Sequence, residues 1–239
     1  MMKRTDNPEL KRQILQHLAH LYKIDEVRET NHLSSYVYCR TKLFLSQKTP
    51  AEPTNEEVML FALGYGLQDV LTPKEMTAPV YERFGIVYRP DMSFTPTKTE
   101  VEQLMELKTT RKSAKYHYTD DALPDTWLDY MKGGCYIRGT SSYDLIVLYM
   151  MGDFAPPFPQ MYCDHIEFTE EELLANWEKI MQRKLVADRA FETGLCPTPF
   201  QNCYDWECKY CRSKLVCESI VRAESYTYAQ IEKDKELWK

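Results

Sequence analysis

Apolar positions recur at helical spacing across residues 8 to 23, "PELKRQILQHLAHLYK", where Ile14, Leu15, Leu18, Leu21 and Tyr22 share one stripe. With Asn7 as a candidate cap and Pro8 in the first turn, this pattern predicts a helix. A second helix is expected from about Asn55 to Val70. Beyond it, "PVYERFGIVYRPDMSF" reads as two short strands or one bent strand, and "VEQLMELKTT" as another. The period of two in that last segment sets Leu104, Glu106 and Lys108 on one face and Met105, Leu107 and Thr109 on the other. Residues 125 to 138 suit a helix opening at Asp125, although Gly133 and Gly134 weaken it, and Lys132 and Tyr136 fall one turn apart on one side. "YDLIVLYMM" is a continuous apolar run of strand length, expected to be covered on both faces. Thr169 and Glu172 form a capping-box pattern that opens a long helix with Leu173, Leu174, Trp177, Ile180, Met181, Leu185 and Phe191 on its buried side and Gly194 as its stop. Helices, then strands, helix, strand, helix and a cysteine-rich tail favour a mixed α/β core.

Composition adds that this chain folds. Its 239 residues are 44% hydrophobic and 28% charged, an ordinary globular balance, and one well-filled core is the simpler expectation. The start, "MMKRTDNPEL", lacks the apolar stretch of a signal peptide, and "LIVLYMM" is too short to span a bilayer, so a cytoplasmic protein is expected. A formal net charge of -6 argues against coating nucleic acid through a global positive field. Locally the balance reverses: "KTTRKSAKYHY" carries Lys108, Arg111, Lys112 and Lys115 without an acid, interleaved with Tyr116, His117 and Tyr118, a candidate for phosphate contact and base stacking.

Eight cysteines in a reducing compartment point to metal binding, reactivity or burial rather than a disulfide framework. Cys135 and Cys163, alone in apolar surroundings, read as buried small hydrophobes. "ECKYCRSKLVCE" is different, because Cys208, Cys211 and Cys217 lie close enough for short turns to aim their thiolates at one point. Four local cysteines, Cys203, Cys208, Cys211 and Cys217, would suffice for a small zinc site.

Asp91 in "YRPDMSF" precedes Glu106-x-Lys108 by a turn and a strand, so antiparallel pairing would bring two carboxylates and a lysine together. Two hard oxygen donors suit Mg²⁺ or Mn²⁺, and an adjacent lysine positions a water or offsets charge in phosphodiester hydrolysis.

The segments "HLSSYVYCRTKLFL", "RPDMSF...MELKTTRK" and "CKYCRSKLVC", in that order, resemble the motifs of RecB-like PD-(D/E)XK nucleases with an iron-sulfur cluster, in particular the CRISPR-associated exonuclease family and its viral relatives. The resemblance runs from about His32 to Cys217. It implies a restriction-endonuclease-like core, a mixed central sheet flanked by helices, with a cysteine-rich iron-sulfur subdomain. On that reading residues 1–239 form one nuclease domain, with a helical part to about 75, a core from about 76 to 193 and a cysteine-rich segment from about 194 to 222.

The resemblance further implies a [4Fe-4S] cluster on Cys39, Cys208, Cys211 and Cys217, and Mg²⁺ or Mn²⁺ on Asp91 and Glu106. Gln68 in "LGYGLQDVL" stands where many relatives carry a metal-binding histidine, and Lys132-x3-Tyr136 replaces a Q-x3-Y motif at the DNA backbone. Lys108 would position the attacking water, and Arg111, Lys112 and Lys115 would bind phosphate. The implied activity is that of a DNA exonuclease preferring single strands, working in CRISPR adaptation or viral DNA processing. The changes at Gln68 and Lys132 leave open a catalytically weakened scaffold that docks a CRISPR integrase or another DNA-processing partner.

Overall fold

The computed structural model describes residues 8–24, 31–97, 101–110, 123–150, 159–200, 203–209 and 211–223. The chain divides into two compact units, Met1–Val37 with Pro53–Ile180, and Tyr38–Glu52 with Met181–Lys239.

The first unit opens with α1 (Pro8–Leu21) and α2 (Leu33–Val37), and α4 (Asn55–Leu71) follows the excursion into the second unit. Thr54 and Glu57 close a reciprocal capping box that fixes the start of α4. Tyr22 stacks on Tyr65 at 5.8 Å between ring centroids, securing the end of α1 on α4. A two-stranded hairpin, β1 (Tyr81–Arg83) and β2 (Ile86–Tyr88), leads into a four-stranded sheet of β3 (Met92–Phe94), β4 (Gln103–Thr110), β5 (Ser142–Tyr149) and β6 (Gln160–Glu167). The sheet order is β3-β4-β5-β6, and only β4 and β5 run parallel, joined through α5 (Asp125–Arg138). A mixed sheet of this kind, flanked by helices, is the α/β architecture the residue pattern predicts.

β5 alternates rather than being covered on both sides. Tyr143, Leu145, Val147 and Tyr149 are buried, while Ser142, Asp144, Ile146 and Leu148 are half-buried. β6 explains the difference: it is a terminal strand of the described sheet, and its Met161, Cys163, His165 and Glu167 are exposed. Cys163 is therefore not a buried hydrophobe, whereas Cys135 is, with its thiol facing the carbonyl of Ser142.

The Thr169–Glu172 capping box forms as expected, and α6 (Glu170–Thr193) ends at Gly194 with φ +71°. Leu173, Trp177 and Ile180 bury in the first unit. Leu174 and Leu185 are exposed instead, and small Ala187 and Ala190 take buried positions. In the second unit α3 (Arg40–Lys48), the last turns of α6 and a helical run over 214–223 supply a small core of Phe44, Leu45, Ala190 and Cys217, and α7 (Asp205–Lys209) precedes that last run.

Candidate active site

Pairing of Met92 with Met105 sets the chemistry-bearing residues. It places Asp91, one residue before β3, against the backbone of β4, where its Oδ2 accepts the Leu107 N–H at 2.8 Å. From the last turns of α4, Gln68 Nε2 donates to the other oxygen, Oδ1, at 2.9 Å. Glu106 and Lys108, on one face of β4, are hydrogen-bonded through Lys108 Nζ and Glu106 Oε1. Lys108 also stands 5.7 Å above the Tyr130 ring, a cation–π contact from α5. The expected meeting of Asp91, Glu106, Lys108 and Gln68 is therefore present.

Behind Glu106 lies a pair of tyrosines that no local sequence signal marks. Tyr143 on β5 donates its hydroxyl to Glu106 Oε2 at 3.3 Å, and Tyr88 on β2 meets Tyr143 hydroxyl to hydroxyl at 2.6 Å. Burial pushes both phenols well above the ordinary range, so each keeps its proton and remains a donor. Gly134 makes room for this pair: a Cβ there would come within 2.5 Å of the Tyr88 ring.

Desolvation dominates the electrostatics. Glu106, 3% exposed, is pushed up to about 7, because burial and the neighbouring charge of Asp91 outweigh the ammonium of Lys108. Burial raises Asp91 as well, against the opposing effects of Lys108, the Leu107 N–H and Gln68. The Lys108 ammonium acts on both carboxyls and Arg89 on Asp91, yet burial prevails at each, and a divalent cation would add to their neutralisation. Two carboxylates and an amide carbonyl are hard donors that fit Mg²⁺ or Mn²⁺, with water and phosphate oxygens completing the coordination. No group of three or more His, Cys, Asp or Glu among the described residues is arranged to hold a metal ion.

Lys132 and Tyr136 lie on α5 as expected, with partners of their own. Lys132 Nζ bonds Glu172 Oε1 at 3.0 Å and stands over the Phe168 ring. Tyr136 stacks on Trp177 at 4.6 Å with an interplanar angle of 13°. Arg111, Lys112 and Lys115 lie outside the described residues.

In the second unit, Cys39, Cys203, Cys208, Cys211 and Cys217 all line one small recess, together with Lys42, Lys214, Glu207 and Phe200. Cys39 caps α3, its sulfur accepting the Lys42 N–H at 3.5 Å. Glu207 binds the two chain segments: Oε1 accepts the Cys39 N–H at 3.1 Å and Oε2 the Tyr204 N–H at 3.0 Å. Cys203 Sγ is 3.4 Å from Cys208 Sγ. Burial pushes the Cys203 thiol up to about 12 and Cys217 to about 11. These five cysteines offer ligands of the kind that bind soft metals, one more than the four that either a zinc ion or a [4Fe-4S] cluster requires, but in this arrangement they do not form a metal-holding group. Cys196 stands apart, against the Phe44–Leu45 core.

No protein-family model matches the chain, and no curated protein matches it. Among solved structures it is similar to SSO0001, with a TM-score of 0.50 and 16% identity over 88% of this chain and 96% of that one. Weaker likenesses are to an alkaline exonuclease from Laribacter hongkongensis (TM-score 0.44, 12% identity, 73% of this chain and 94% of that one) and a phage-related exonuclease from Haemophilus somnus 129PT (0.42, 12%, 67% and 83%). At these identities the likeness to SSO0001 is one of fold.

Proposed function

We propose that the chain is a metal-dependent deoxyribonuclease, an exonuclease that prefers single-stranded DNA. The observation that carries this reading is the convergence of Asp91, Glu106 and Lys108, a half-buried and a buried carboxyl beside one ammonium. A retired active site has no need of this arrangement, since burial raises both acids even with Lys108, Tyr143, Gln68 and the Leu107 N–H as partners, at a cost in stability.

Asp91 and Glu106 would hold one or two Mg²⁺ or Mn²⁺ ions, with the Gln68 carbonyl assisting. Such an ion supplies Lewis-acid charge to a phosphate and lowers the pKa of a bound water. The protein's own part is positional. The Leu107 N–H and Gln68 fix Asp91, and Tyr143 fixes Glu106. Lys108, held between Glu106 and the Tyr130 face, orients the attacking water and offsets charge that accumulates on phosphate oxygens. Tyr136 and Lys132 are assigned to the DNA backbone, Lys132 exchanging Glu172 for phosphate. Arg111, Lys112 and Lys115 extend the phosphate track.

For the second unit we propose a [4Fe-4S] cluster on Cys39, Cys208, Cys211 and Cys217, with Cys203 as the alternative fourth ligand. Its role is to hold the two chain segments of that unit together. DNA trimming in CRISPR adaptation or viral DNA processing, alongside CRISPR adaptation proteins, is the setting this activity fits.

The test is digestion of end-labelled single-stranded and duplex DNA with Mg²⁺ or Mn²⁺ by wild-type and Glu106→Ala protein. Cleavage lost in the variant is expected. A wild type that cuts neither substrate would overturn the enzyme reading in favour of a scaffold.

A further inference from the structure

The tip of the β1–β2 hairpin breaks a local rule. Arg83 pairs with Ile86, leaving a two-residue loop of Phe84 and Gly85. Both have positive φ, 53° and 71°, the signature of a type I′ turn, whose first position favours Asn, Asp or Gly. A phenylalanine there is strained by its Cβ and brings no side-chain hydrogen bond in compensation. Its ring is also 61% exposed. Neither backbone preference nor burial accounts for this residue, and such departures from local rules concentrate at functional sites.

The surroundings give the ring a firm backing. Trp177 lies 6.0 Å away at 44°, and the Arg83 guanidinium is 5.4 Å from the Phe84 centroid. That guanidinium is itself fixed, standing 4.8 Å over Tyr136 and donating to the Tyr136 carbonyl at 2.6 Å, while Tyr136 stacks on Trp177. A supported aromatic surface beside an immobilised cation matches a ligand that is planar and apolar in one part and anionic in the next. A nucleotide has that form.

We propose that Phe84, backed by Trp177 and flanked by Arg83, is a stacking platform for a base of single-stranded DNA, a subsite of the nuclease reading on which it rests. The ring binds the base face, and Arg83 faces the adjoining phosphate. Beyond the turn, the three extended residues of β2, about 10 Å, lead to Tyr88, the tyrosine behind Glu106, so the platform would grip a strand a few nucleotides from the carboxylates.

The experiment compares binding of a labelled oligothymidylate and an abasic oligomer of the same length, without divalent ions, to wild type, Phe84→Asn, Phe84→Leu and Phe84→Trp. Asn relieves the turn, Leu keeps apolar packing without an aromatic face, and Trp keeps the face. Expected is a roughly tenfold weaker affinity of the Asn and Leu variants for oligothymidylate, with Trp retaining it. The abasic oligomer should bind all four alike, the salt dependence should be unchanged because no charge is lost, and the Tm of the Asn variant should be no lower than wild type. Wild-type affinity in the Leu or Asn variant, or equal losses on the abasic strand, would overturn the platform. If wild type cuts DNA while those variants bind normally, only this inference fails, and a protein-docking role for the tip takes its place. If wild type neither binds nor cuts DNA, the nuclease reading fails with it.

Discussion

Asp91 is tied to Leu107: its Oδ2 accepts the Leu107 backbone N–H at 2.8 Å, between the two functional side chains of β4. The acid is therefore positioned by the strand that carries Glu106 and Lys108, and its place does not depend on loop side chains alone. Gln68 supplies the second restraint.

Replacing Gln68 with Ala removes that restraint while leaving Asp91 its backbone donor. Apparent affinity for Mn²⁺ should fall by roughly 10–100-fold, as for other partners that orient metal ligands. Titration of Mn²⁺ by electron paramagnetic resonance reads this directly, and an unchanged affinity would remove Gln68 from the site.

The raised pKa of Glu106 makes metal-free stability depend on pH. Its ordinary value is 4.5 and its folded value about 7, so the folded state binds the extra proton within that window. Stability from this group is full below about 4.5 and falls as pH rises through about 7, by a total on the order of 3 kcal/mol. Half-buried Asp91, raised by desolvation, acts in the same direction. Melting curves across this range without divalent ions should show the decline in wild type and a flatter profile in Glu106→Gln. Parallel profiles would contradict the assignment.

Tyr88 and Tyr143 should behave as one unit. Either single change to Phe leaves a buried hydroxyl short of a partner, costing roughly 1–3 kcal/mol. The double change should cost less than the sum of the singles, with a coupling of about 0.5–3 kcal/mol in denaturant unfolding. Strict additivity would mean the hydroxyls do not support each other.

Among the five cysteines of the recess, Cys39→Ser should abolish bound iron and its visible absorbance, whereas Cys203→Ser should retain both. Metal analysis of the two purified variants decides the matter. Iron lost only from Cys203→Ser would exchange their roles, and zinc in place of iron would replace the cluster with a zinc site.

Much of this site is legible along the chain because its parts obey local periods. β4 announces its faces through alternation, α5 starts at Asp125, and the Thr169–Glu172 box starts α6. Three things are not legible, for physical reasons. Tyr88 and Tyr143 meet only through the sheet's layering, 55 positions apart. β6 has outward Cys163 and His165 beside inward Asp164, so its polarity does not alternate cleanly. Leu174 and Leu185 follow the apolar stripe of α6 yet remain exposed, because hydrophobicity fixes a preference and tertiary contact fixes the face.

The second unit joins one segment, Tyr38–Glu52, to another made well after it, from Met181 onward. During synthesis at about 5–20 residues per second, Cys39 waits on the order of ten seconds for the rest of the recess to emerge. Loading of anything that needs both segments therefore follows synthesis of the later one, and in the interval before it a nascent chain presents Cys39, without its partners in the recess, to whatever chaperone or oxidant meets it.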